Sequence, residues 1–217
     1  MENSKKERVS KLLNENANME YFQKHFISFN RSVSTYYALK FIYEDKSKEL
    51  EYYEGFQSAF FRFYGIGRFT SDGFDEKFYN ELKQLRGTKL YYSRKLTEEL
   101  TKKLSDNEKG KIQFSFVTKL LNIINDEEYP IYDSNVMAAF GFFRGNNKSR
   151  KDKLVDYLEQ YEAIRNTYNE LLDDCKDIIG NFKQKFPQSN SLSDMRILDI
   201  IVWKIGEEIS DKKIQPN

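Results

Sequence analysis

Several kinds of chemistry are excluded by what the chain lacks. Its 217 residues include one cysteine, Cys175, and one histidine, His25. A lone cysteine cannot close an intramolecular disulfide and fits a reducing compartment. One Cys and one His cannot furnish a structural zinc site. Only 3 prolines and 10 glycines punctuate the chain, so long helices are expected. No apolar run approaches the length that spans a bilayer. The N-terminal stretch MENSKKERVSKLL has no apolar core of the signal-peptide kind. A cytoplasmic protein is the expectation. The net charge of +1 neither demands nucleic acid nor forbids it, because a basic face can be balanced by an acidic one.

What the chain has is aromatic bulk. Hydrophobic residues make up 39% and charged residues 32%, and 18 Phe and 15 Tyr carry much of the apolar volume. That is too much core-forming material for disorder. Helical spacing of apolar residues recurs over 20–30, 33–42, 50–64, 72–85 (capped by Ser71 or Asp72), 89–104, 112–125 and 134–141. It recurs again over 154–182, as one helix or two joined near Asp173 and Asp174, and in RILDIIVWKIG (196–206). No strand alternation persists. The reading is all-α: residues 19–206 as a single domain of roughly eight to ten helices, 1–18 as a flexible N-terminal arm or frayed helix, and 207–217 as a loose tail. Gly65-Ile66-Gly67 reads first as a helix-ending turn and second as the glycine turn of a helix-hairpin-helix. His25 reads as a helix-packed side chain without a catalytic partner.

The stretch 114–141, FSFVTKLLNIINDEEYPIYDSNVMAAFG, holds the best pair for chemistry. On a helical wheel Phe114, Val117, Leu120, Leu121 and Ile124 share one face, and Ile112, Phe116 and Ile123 a second. Ser115, Thr118 and Asn122 form a narrow polar strip. Lys119 falls at the edge between that strip and the second apolar face. Partial desolvation disfavours an ammonium, and a lysine with a lowered pKa can act as a nucleophile; a snorkelling lysine is the alternative. Asp133 precedes a helical pattern and suits an N-cap. The helix N-terminus favours negative charge there, and such a carboxylate can also stabilise a nearby cation.

The wording S-F-x-T-K-L-L followed by Y-P-I-Y-D-S-N-V (Ser115 to Val136) resembles the helix-hairpin-helix DNA glycosylase superfamily, and within it bacterial proteins with an 8-oxoguanine DNA glycosylase-like fold. The resemblance is clear over about 25 residues. It reaches more weakly into the last helix with Asp199 and Trp203. It implies a helix-hairpin-helix glycosylase-like domain that flips a modified base out of double-stranded DNA and excises it, with or without AP lyase activity through a lysine Schiff base. The implied catalytic positions are Asp133 and Lys119. The implied DNA contacts are Lys109, Gly110, Lys111 and Ser115. The basic loop residues Arg144, Lys148, Arg150 and Lys151 form a charge cluster that reads first as a solvated loop and second as a phosphate-contacting one. Phe116, Tyr129, Tyr132 and Trp203 are candidates for the base pocket. No cofactor, metal or membrane is implied, and a monomer is expected.

Two features depart from the family pattern. The hairpin position reads Lys109-Gly110-Lys111-Ile112-Gln113, with one glycine. Lys119 and Asp133 are 14 apart, so the lysine position of the family falls on Ser115, one helical turn before Lys119. The alternative is a non-catalytic nucleic-acid-binding or helical interaction protein of the same fold.

Overall fold

The apolar run ahead of Asn125 folds as the helix Phe114–Ile124, and nearly every side chain on it is buried. The structure is a computed structural model that describes residues 2–44, 51–64, 74–105, 112–142 and 149–214. Among these the elements are α1 (Glu2–Asn16), α2 (Met19–Lys24), α3 (Phe26–Glu44), α4 (Glu51–Phe63), α5 (Phe74–Leu85), α6 (Arg94–Ser105), α7 (Phe114–Ile124), α8 (Ser134–Phe140), α9 (Arg150–Leu171), α10 (Lys176–Lys185), a 3-10 turn (Pro187–Ser191) and α11 (Asp194–Ile214). The described residues are all-helical, with no strand. No described helix is long and apolar enough to cross a membrane.

Helix α7 packs against α3 and α6, and α11 lies along α8. Phe116 joins α7 to α4 and α5, with its ring 5.6 Å from Phe60, 5.4 Å from Phe74 and 5.3 Å from Phe78. Most of the polar strip of α7 does not face water. Thr118 and Asn122 are fully buried. The Thr118 hydroxyl accepts the Tyr132 N–H at 3.1 Å, and Asn122 Nδ2 donates to the Tyr129 carbonyl at 2.6 Å. These bonds satisfy backbone groups of the turn between α7 and α8 that burial would otherwise strand. The Tyr161 hydroxyl donates to the Pro130 carbonyl at 2.9 Å, and Ser193 N–H and hydroxyl donate to Asp126. The turn is therefore held from α7, α9 and the start of α11, and it delivers Asp133 to a fixed place.

Three sequence expectations change. Residues 2–16 form helix α1 rather than a free arm, because Val9 and Leu13 are buried in the core. Arg8 Nε also donates to the Ala139 carbonyl at 2.7 Å and Lys5 Nζ to the Phe140 carbonyl at 3.1 Å. Cations at a helix C-terminus meet the negative end of its dipole, so α1 closes the end of α8. Gly141 completes that end in the left-handed region at φ 66°, where a glycine carries no Cβ penalty. The polar tail is helical as far as Ile214, continuing α11. The 20–30 and 33–42 patterns break at His25 instead of between them. No proline or glycine marks that break. His25 Nε2 lies 2.8 Å from Glu208 Oε1 on α11, and its ring sits 4.6 Å from that of Tyr21.

Further breaks follow local chemistry. Helix α6 starts at Arg94, not at residue 89, because the Ser93 hydroxyl takes the Leu96 N–H at 3.2 Å as an N-cap. The 154–182 pattern divides into α9 and α10 around Asp173 and Asp174, as the second of the two readings has it. Ser71, Asp72 and the Gly65-Ile66-Gly67 turn lie outside the described residues.

Candidate active site

Asp133 is the N-cap of α8. Its Oδ1 accepts the backbone N–H groups of Asn135 at 3.0 Å and Val136 at 3.1 Å. Its Oδ2 points the other way, accepts the Trp203 indole N–H at 2.8 Å, and lies 3.7 Å from Lys119 Nζ. One oxygen is spent on the helix and the other meets the lysine. The cap and the lysine contact occupy different atoms, so neither displaces the other.

Lys119 reaches Asp133 from the middle of α7. Both residues are more than nine-tenths buried, at 8% and 7% exposed. Nζ donates to the Ser115 hydroxyl at 3.3 Å, one turn back on the same helix, and stands 5.3 Å from the centre of the Tyr64 ring. Burial lowers the Lys119 pKa from its ordinary value, and the Asp133 carboxylate opposes that shift. The result is an amine within reach of a carboxylate, poised to lose its proton more readily than a surface lysine.

Both residues line a cavity of about 830 Å³. Its wall is aromatic in part, from Phe26, Phe63, Tyr64 and Trp203, and cationic in part, from Arg31 and Arg196. Residues 196, 200, 203 and 207 recur on one stripe of α11, which is how that helix supplies a whole side of the cavity. The crossing of α11 over α8 depends on Gly206. A Cβ there would lie 1.9 Å from the Asn135 carbonyl oxygen.

Arg196 in the wall belongs to a second charged pair, with Asp199 behind it. Arg196 Nη1 donates to Asp199 Oδ2 at 2.5 Å, and the Tyr168 hydroxyl donates to Asp199 Oδ1 at 3.4 Å. Burial pushes the Asp199 carboxyl up to about 6, against the pull of Arg196.

The sequence candidates divide. Lys119, Asp133, Ser115 and Trp203 come together. Phe116, Tyr129 and Tyr132 do not line the cavity. All three are buried. Phe116 fills the α4–α5–α7 core. The Tyr129 hydroxyl donates to the Tyr91 carbonyl at 2.7 Å, and the Tyr132 hydroxyl to Gln160 at 2.7 Å. In this structure they serve as aromatic packing. Arg150 is exposed, but its Nη2 donates to the Ser105 carbonyl at 2.9 Å and so ties α9 to the end of α6; Lys151 is exposed beside it, and neither borders the cavity. Lys109, Gly110, Lys111, Arg144 and Lys148 lie outside the described residues. Sequence reasoning passed over Phe26, Phe63, Tyr64 and Arg196. For Arg196 a signal existed, a cation at the head of the mostly apolar run 197–203, seven residues before Trp203. Among the described residues, no group of three or more His, Cys, Asp or Glu side chains is placed to hold a metal ion.

Comparison with protein-family models, with curated proteins and with solved structures gives no significant match for this chain.

Proposed function

We propose that this protein is a DNA glycosylase of the helix-hairpin-helix type that excises a modified base from double-stranded DNA, with Lys119 as a Schiff-base nucleophile and Asp133 beside it. One observation carries the reading: Lys119 Nζ lies 3.7 Å from Asp133 Oδ2, with both residues on the wall of one cavity. A space of about 830 Å³ is ample for a base with its sugar. The short wording over residues 115–136 points the same way. The aromatic wall offers stacking surface to an extruded base, and Arg31 at the rim offers a cation to a phosphate.

The steps balance as follows. The Lys119 Nζ lone pair attacks the sugar C1′. The C1′–N bond breaks, and its electron pair leaves with the base, which takes up the proton that the Lys119 ammonium released on becoming the neutral nucleophile. Oδ2 of Asp133 accepts a proton from the alkylated Nζ. The C1′–O4′ bond then opens as C1′=N forms, and O4′ takes up the proton. While charge develops on the sugar, the Asp133 carboxylate stabilises it. Trp203 and the two backbone N–H groups hold that carboxylate in place. Removing water from such a site makes each of these interactions stronger than it would be in bulk solvent. The protein acts as a monomer on this reading and uses no cofactor.

The test is borohydride trapping on duplexes that each carry one altered base, from oxidised, deaminated and alkylated sets. The wild type is expected to give a covalent protein–DNA adduct with at least one of them, and Lys119→Gln none. Base release without an adduct would remove the lyase step and leave a monofunctional glycosylase. Neither adduct nor base release on any duplex would end the proposal.

A further inference from the structure

Nearly every charge on the cavity wall is balanced by a neighbour. Lys119 faces Asp133, Arg196 holds Asp199, Glu207 is paired with Lys204, and Lys24 lies 3.6 Å from Glu208. Burial lowers the His25 pKa against the opposing pull of Glu208, so the imidazole adds no charge at neutral pH. Arg31 is the exception. It is exposed, it borders the cavity, and among the described residues nothing pairs with it. Ser28 and Ser32 border the cavity from the same helix, α3, with Ser28 one turn before both Arg31 and Ser32. A helical serine commonly turns its hydroxyl back onto a carbonyl of its own helix. Neither of these does so, and neither is bonded to another described residue. Both serines are half-buried and Arg31 is exposed, so all three remain open to a ligand.

We infer that Ser28, Arg31 and Ser32 form an anion-binding strip at the cavity mouth, and that it takes the phosphate of a nucleotide whose base lies inside on the aromatic wall. The inference rests on the glycosylase reading for the word nucleotide, and on the unpaired strip for the phosphate. The balanced interior sets the direction. A phosphate beside Lys119 would meet the repulsion of Asp133 and disturb an attraction already made. At Arg31 no carboxylate competes. A guanidinium presents its donors as a planar fork, and each serine adds a hydroxyl; a phosphate has the oxygens to accept from all three groups, where a carboxylate has two. Arg31 is exposed and Lys119 is 8% exposed, so the charged end of the ligand stays near water. Its uncharged ring goes to Phe63, Tyr64 and Trp203.

The chain's single tryptophan, Trp203, is in the cavity wall and reports occupancy directly. Its fluorescence is titrated in the full-length protein with matched pairs, each a nucleoside and its monophosphate: thymidine, deoxyuridine and 8-oxodeoxyguanosine. Inorganic phosphate alone is the third kind of probe. In at least one pair the monophosphate is expected to bind at least about tenfold more tightly than its nucleoside at low salt, and the gap should shrink as salt rises. Arg31→Gln should remove the gap and leave nucleoside affinity unchanged, while Arg31→Lys keeps part of it. Ser28→Ala combined with Ser32→Ala should narrow it several-fold. Thermal melting should not move in these variants, because none of the three side chains bonds to another described residue. Equal affinities within every pair, a gap that survives Arg31→Gln, inorganic phosphate binding as tightly as the monophosphates, or no saturable change with any probe would overturn the inference. Borohydride trapping separates this from the catalytic reading. An adduct without phosphate preference removes only the inference. Phosphate preference lost in Arg31→Gln, without adduct or base release in the wild type, removes only the glycosylase.

Discussion

The charge state of Lys119 is set by two opposed forces. Burial drives its pKa down, and Asp133 pulls it back up. For a base, a lowered pKa means that the neutral amine is reached at a lower pH, so trapping should rise with pH through a midpoint below the ordinary lysine value. Replacing Asp133 with Asn removes the group that raises the pKa. The midpoint should then move to lower pH, while the maximum rate falls because the proton acceptor and the stabilising charge are gone. A trapping profile in Asp133→Asn that moved to higher pH would contradict this electrostatic account. Asn keeps a side-chain oxygen for the Asn135 and Val136 N–H groups, and asparagine caps as well as aspartate. Any loss of rate can therefore be read apart from loss of the helix end.

At the scale of elements, the site exists because α11 lies close on α8. That closeness is set by a missing side chain. Gly206→Ala would place a methyl 1.9 Å from a backbone oxygen, and backbone cannot rotate away as a side-chain tip can. We expect destabilisation of about 1–3 kcal/mol from overpacking, together with a red-shifted or weakened Trp203 signal as the indole leaves Asp133. Gly180 in α10 is the contrast. A Cβ there meets nothing within 4 Å. Gly180→Ala should stabilise by about 0.5–1 kcal/mol, the ordinary helix gain. Denaturant melts of the two variants should therefore move in opposite directions. Movement in the same direction would mean that the α8–α11 contact is not what constrains Gly206.

At the scale of the whole molecule, α1 is structural. Full burial of an aliphatic side chain contributes about 1.5–3 kcal/mol, and α1 buries Val9 and Leu13. It also gives the α8 carbonyls their donors in Lys5 and Arg8. Deleting residues 2–16 is expected to lower Tm by on the order of 10 °C or more, or to leave a chain that does not fold. An unchanged melting curve would restore the reading of a free arm. Because α8 carries Asp133 at its other end, the deletion should also weaken the site from a distance.

How much was legible follows from where each signal lives. The all-α class was written in the spacing of apolar residues and the scarcity of proline and glycine, because helix periodicity is a local property. Lys119 on an apolar helix and Asp133 at a helix start were legible for the same reason. The error over α1 arose because its charged residues outnumber its two core residues, and only the neighbours show that those two are enough. Phe116, Tyr129 and Tyr132 were misplaced because sequence tells an aromatic from a polar residue but not a core face from a cavity face. The His25 break, the Gly206 crossing, and the meeting of Tyr64 and Arg196 with Lys119 join residues far apart in the chain. Local periodicity determined the helical class and the pair of residues worth watching; the packing of α3, α7, α8 and α11 decided that those residues share a cavity, since contact between distant segments depends on which faces fit together and no local pattern records it.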